Sequence, residues 1–145
     1  LRRYLQDNIL FEDEGMLIIN KPSGLAVHGG SGISLGAIEA LRVERPEARF
    51  LELVHRLDRE TSGCLMLAKK RAVLLELQQA MQRNQVEKRY QALVKGSWPR
   101  GKATINAPLL KNQLTSGERM VRVDGGGRAS VTTLRWLNVL KRLHC

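Results

Sequence analysis

No apolar run in this chain of 145 residues approaches the ~20 that a membrane helix needs, and the opening Leu1-Arg2-Arg3-Tyr4 leads into acids rather than a signal-peptide core. The sequence therefore predicts no membrane association, and a start at Leu1 rather than Met predicts that further sequence lies upstream. Cysteine is scarce: Cys64 and Cys145 form no Cys-x-x-Cys pair, which excludes a disulfide framework and a thiolate metal clamp and makes a reducing, cytoplasmic setting the default. The three histidines, His28, His55 and His144, are too scattered for paired zinc ligands, so no metal is expected. The glycines after His28 lack the Gly-Lys-Ser/Thr ending of a phosphate-binding loop. Internal repeats, low-complexity tracts and linkers are also missing.

Acidic residues run short in one half only. Residues 1–60 hold 8 Lys/Arg and 10 Asp/Glu, whereas residues 61–145 hold 16 and 4, so the second half accounts for the net charge of +10. Spread positive charge of this kind suits a phosphate backbone, because each neutralised phosphate releases counterions; a solvated basic surface is the plainer alternative. Hydrophobic residues at 43% and charged residues at 26% are ordinary for a folded globular chain, and the length suits one domain or a piece of one.

Apolar residues 16–20 run into Lys21-Pro22-Ser23-Gly24 and predict a buried strand ending in a turn. Residues 25–27 are a second candidate strand before a glycine-rich loop. Leu35, Ile38 and Leu41 recur at helical spacing, with Ser34 as a possible N-cap and Pro46 as the stop. Residues 50–54 and 64–68 read as strands flanking a polar loop. Leu74, Leu77 and Met81 mark a helix within 71–83, and residues 89–94, 120–123 and 131–136 suit further strands. The fold class predicted is α+β, with a mixed, mainly antiparallel sheet and flanking helices.

The polar loop holds the densest chemistry, His55-Arg56-Leu57-Asp58-Arg59-Glu60-Thr61-Ser62-Gly63. Positive charge on either side in the sequence favours an ionised Asp58, suited to act as a nucleophile or base. The spacing is equally compatible with an Asp that caps a turn or pairs with arginine. Three enzyme templates fail on residues: Glu60 stands where an Asp-x-Asp enzyme needs its second acid, Leu57 separates His-Arg from Asp as no kinase loop does, and Ser62 lacks the glycine two positions before it that a nucleophile elbow requires. Thr61, Ser62 and Gly63 are read as turn-shaping, and His55, without an acid or metal partner in the sequence, as a hydrogen-bonded structural histidine.

This stretch resembles the signature of the RluA family of pseudouridine synthases, His-Arg-Leu-Asp-x-x-Thr-Ser-Gly. Residues 20–28, with Lys21-Pro22-Ser23-Gly24 and Val27-His28, are similar to the family's Lys-Pro-x-Gly-x-x-Val-His segment, and Lys88-Arg89-Tyr90 to its Lys-x-Tyr motif. The order of these blocks agrees from about residue 9 to residue 133. Residues 29–32, 45–51, 110–112 and 116–119 look like the C-type enzymes that act on 23S ribosomal RNA.

The resemblance implies isomerisation of uridine to pseudouridine in RNA, with Asp58 as the catalytic carboxylate and no cofactor. It implies that Arg56 fills the space vacated by the target base and that Tyr90 lies beside the uracil ring. Lys21 and Arg59 are expected RNA contacts, although a turn lysine exposed to solvent suits Lys21 equally. A monomer is the expected state. The chain is then the N-terminal portion of one catalytic domain, 1–145, without the S4-type domain that usually precedes it.

The family's later Thr-Gly-Arg-x-His-Gln-Ile-Arg block is missing, and residues 134–145 stop resembling the family. A non-catalytic RNA-binding module or an inactive fragment of a synthase is therefore the alternative reading, with an Asp-dependent hydrolase behind it.

Overall fold

The computed structural model describes residues 2–30, 35–96, 101–113 and 119–137. The chain divides into two compact units, Leu1–Tyr90 and Gln91–Cys145.

In the first unit, β1 (Ile9–Glu12), β2 (Met16–Lys21), β3 (Glu52–Leu53) and β4 (Gly63–Ala68) form one antiparallel sheet in the order β1-β2-β4-β3. Side chains alternate across a strand, so Leu17, Ile19 and Lys21 of β2 share the buried face, opposite Leu67, Leu65 and Gly63 of β4. Three helices occur among the unit's described residues: α1 (Arg2–Asp7), α2 (Ala37–Glu44) and α3 (Arg71–Gln82). Leu5 of α1, Ala37, Ile38, Ala40 and Leu41 of α2, and the four β2 and β4 aliphatics build one core with Val27, Leu51 and Leu57. Burying each such aliphatic side chain contributes ~1.5 to 3 kcal/mol, which makes this the stable part of the molecule.

The second unit is built from two antiparallel ribbons, β5 (Lys102–Asn106) with β8 (Val131–Arg135), and β6 (Leu109–Gln113) with β7 (Arg119–Val123). A Leu109 to Arg128 bridge and the hydrogen bond from Ala107 N to Ser130 O carry the pairing from one ribbon to the other. Asp124 turns the chain by accepting the Gly127 N–H on its carbonyl and the Gly126 N–H on its carboxylate. Among the side chains described in this unit none is buried.

The α+β, mainly antiparallel architecture is as the sequence predicts, with corrections in detail. Helix α2 begins after Gly36, and Ser34 lies outside the described residues. The strand expected at 50–54 shrinks to Glu52–Leu53. Residues 25–27 form no strand, because the Ala26 and Val27 carbonyls accept N–H groups from the start of α2 instead of from a neighbouring strand. Residues 89–94 are not a strand either: they are exposed and find no ladder partner among the described residues, and a strand without a partner leaves its backbone groups to water.

Candidate active site

The signature loop connects β3 to β4 and is held from below. Leu57 is buried in the core, while its neighbours Arg56 and Asp58 project outward and are exposed. Val54 N donates to Met66 O at 3.0 Å, and the Met66 N–H donates to His55 Nε2 at 3.1 Å. Accepting that bond requires Nε2 without a proton, so the ring proton sits on Nδ1, 3.4 Å from the Arg56 carbonyl. Burial pushes the His55 imidazole below its ordinary range, assisted by Lys88 and opposed by the bond to Arg56. His55 is thus a structural histidine, as its sequence context predicts. Thr61 N to Asp58 O at 3.1 Å closes the turn, and Gly63 leaves it with φ +119, a backbone conformation that favours glycine.

The segment Lys21-Pro22-Ser23-Gly24 grips this loop from the side. The Lys21 side chain is fully buried, and its ammonium donates to the carbonyls of Pro22 (2.9 Å), Leu25 (2.7 Å) and Arg59 (3.1 Å). Those three bonds use all of its donors. Ser23 Oγ donates to Glu60 O at 2.7 Å, Gly24 N to Arg59 O at 2.9 Å, and Arg59 Nε returns a bond to Gly24 O at 3.0 Å. Burial pushes the Lys21 amine below its ordinary range, and the negative charges of Glu60 and Asp58 oppose that shift.

The expectation that Lys21 contacts RNA is corrected, as is its reading as a solvated turn lysine. A side chain with no exposed surface and every donor occupied cannot reach a phosphate. The sequence held one signal of this role: Lys21 continues the inward period of Leu17 and Ile19.

Asp58 lies in an open cleft of about 220 Å³ lined by residues 26–30 on one side and 56–59 on the other. The volume is below the ~300 to 1,000 Å³ usual for drug-sized ligands and suits a group on the scale of one base. Arg56 and Arg59 share this lining. Neither pairs with Asp58 among the described residues: Arg59 turns to Gly24 O and to Glu60, 3.7 Å away, and the exposed Arg56 side chain has no ion pair among them. Tyr90 is 63% exposed and is not part of the cleft lining. The second wall, residues 26–30, was not among the expected site residues. Among the described residues no cluster of three or more metal-ligating side chains occurs, and no helix is long and apolar enough to cross a membrane.

The chain resembles known proteins over most of its length. Residues 15–141 match the family model of RNA pseudouridylate synthases. Ribosomal large subunit pseudouridine synthase C of Pasteurella multocida is 59% identical over 128 residues, covering 88% of this chain and 39% of its own length. The protein of the same name from Escherichia coli K12 is 56% identical over 131 residues, covering 90% and 41%. The chain thus spans about 40% of the length of these curated relatives. Among solved structures, human RNA pseudouridylate synthase domain containing 4 superposes with a TM-score of 0.60 at 25% identity, over 91% of this chain and 53% of that one. Human RNA pseudouridylate synthase domain containing 1 gives 0.70 at 22% identity over 87% and 50%, a likeness of fold. With the signature loop, its clamp and the family match in agreement, the chain belongs to the RNA pseudouridylate synthase family.

Proposed function

We propose that this chain carries the catalytic carboxylate of a cytoplasmic RNA pseudouridine synthase whose substrate is 23S ribosomal RNA. The observation that carries the reading is the setting of Asp58: an exposed carboxylate in a base-sized cleft, on a loop that Leu57, His55 and Lys21 hold in place. A reacting group gains most from being held in position before substrate arrives. The names of the relatives, which specify the large ribosomal subunit, support the choice of RNA.

In this reading the Asp58 carboxylate bonds to the target uridine, the bond between ribose and N1 breaks, the base turns and bonds the ribose through C5, the bond to Asp58 breaks again, and the proton lost from C5 is balanced by one gained at N1. The reaction is an isomerisation, so no atom is gained or lost overall and no cofactor is called for. Arg56, unpaired among the described residues, enters the helix space that the flipped base leaves. Arg59 contributes positive charge at the cleft mouth, and Tyr90 supplies an aromatic face and a hydroxyl beside the uracil ring.

The test places this chain's residues in the matching 131-residue segment of the Escherichia coli relative and measures pseudouridine in 23S ribosomal RNA by mass. The chimera should convert uridine, and its Asp58→Asn form should convert none while holding RNA within a few-fold of the same affinity. A folded chimera without turnover, or a working Asp58→Asn variant, defeats the reading.

A further inference from the structure

The wall of the cleft that faces the signature loop is moulded on the first turn of α2. A helix start leaves backbone N–H groups without intrahelical partners, and here they are spent on the cleft wall. Ala37 N donates to Ala26 O at 2.9 Å and Ile38 N to Val27 O at 3.1 Å. Glu39, half-buried in the same turn, closes the arrangement with a single oxygen: Oε2 accepts the Gly36 N–H at 2.9 Å and the Gly29 N–H at 3.1 Å. The first bond is the ordinary return bond of a helix cap, whereas the second reaches back to a residue lining the cleft. Gly36 permits the approach, because a Cβ on it would lie 2.5 Å from the His28 carbonyl carbon and 2.7 Å from the His28 nitrogen. That contact is with backbone, which cannot swing aside.

We propose that Glu39 and Gly36 are positioning residues, which hold residues 26–30 at the distance from Asp58 that lets the cleft accept a single flipped pyrimidine base. This rests on the pseudouridine synthase reading and extends it to a second wall. Neither residue touches the base. Both act through the Gly29 and His28 backbone.

The test uses the 145-residue chain and two probes, a short single-stranded adenosine RNA carrying one uridine and the same RNA with an abasic site in its place. The unsubstituted chain should bind the uridine probe about tenfold tighter than the abasic one. Glu39→Ala should bring that ratio to within about twofold of unity while leaving abasic affinity within twofold, since the phosphate contacts lie elsewhere. Glu39→Gln retains an oxygen able to accept both N–H groups and should keep most of the ratio. Gly36→Ala, an independent route to the same wall, should lose it.

A Glu39→Ala chain that keeps the full ratio overturns the proposal, and so does one that loses abasic affinity equally, which would mark a general fold defect. A unit ratio in the unsubstituted chain instead overturns the reading on which the proposal rests.

Discussion

The Asp58 carboxylate is exposed and takes no side-chain hydrogen bond among the described residues, so Asp58→Asn should change folding stability by no more than ~0.5 kcal/mol. Lys21 is the opposite case. Lys21→Met preserves the bulk but leaves the Pro22, Leu25 and Arg59 carbonyls without their donor, and buried groups left unsatisfied cost ~1 to 3 kcal/mol each. Since some of that loss is recovered by water reaching the loop, a destabilisation of roughly 3 kcal/mol is expected, read as a lower urea midpoint at unchanged slope. A Lys21→Met midpoint equal to that of Asp58→Asn would show that the clamp contributes little.

His55 adds a pH dependence with a definite sign. Its folded value is held below the ordinary 6.5, so as pH falls the unfolded chain takes up the proton first. The stability contributed is fully present above about 6.5 and is lost as pH falls through the depressed folded value. Between about pH 7.5 and pH 5 the melting temperature of the unsubstituted chain should therefore fall more steeply than that of His55→Gln, and parallel curves would contradict the assignment.

At the scale of elements, the β2–β4 ladder sets where the two site loops emerge. Its register pairs Lys21 with Gly63, so each loop leaves the sheet at the same level and the Lys-Pro-Ser-Gly turn lies against the signature turn. Both turns depend on positive φ, +83 at Gly24 and +119 at Gly63. A Cβ at Gly24 would meet nothing within 4 Å, so Gly24→Ala isolates the backbone strain of ~1 to 2 kcal/mol that a side chain adds there. Calorimetry should record that loss, and, on the proposed function, the bonds between Gly24 and Arg59 carry it to the signature loop, so turnover by the chimera should drop with it. Unchanged stability would mean that the turn adapts to another conformation.

For the whole molecule, charge and core are divided between the units. Residues 1–90 carry 14 Lys/Arg and 12 acids, whereas residues 91–145 carry 10 and 2, so the second unit supplies +8 of the net +10. The core belongs to the first unit, and the second consists of two-stranded ribbons, which rarely persist in water without an apolar face to cover. Amide exchange should accordingly be faster across β5 to β8 than in β2 and β4 by orders of magnitude. Equal protection would contradict that division.

RNA affinity should fall steeply with salt, and Lys95→Gln, Arg128→Gln or Arg135→Gln, each removing an exposed cation, should flatten the log-log slope by about 0.7 to 0.9 for every phosphate left without its cation. A slope that none of them changes would place the phosphate-binding cations elsewhere.

Much of this was written locally. The apolar periods of residues 16–20 and 64–68, the helical stripe of 71–83 and the glycines at 24 and 63 act over a few residues, so β2, β4, α3 and the turns could be read in advance, whereas α1 and β1 were not. The density of His55, Arg56, Asp58 and Arg59 between apolar runs marked in the same way the loop that lines the candidate cleft. What required the tertiary structure was everything set by partners distant in sequence. Lys21 is defined by carbonyls up to 38 residues away, and the Ala26 and Val27 carbonyls accept from α2 rather than from a sheet. Residues 89–94 have the alternation of a strand but no ladder partner among the described residues. Composition and periodicity determine which segments are able to pair and which side chains are able to react; only the folded chain decides which of them meet, because a hydrogen bond needs both of its ends.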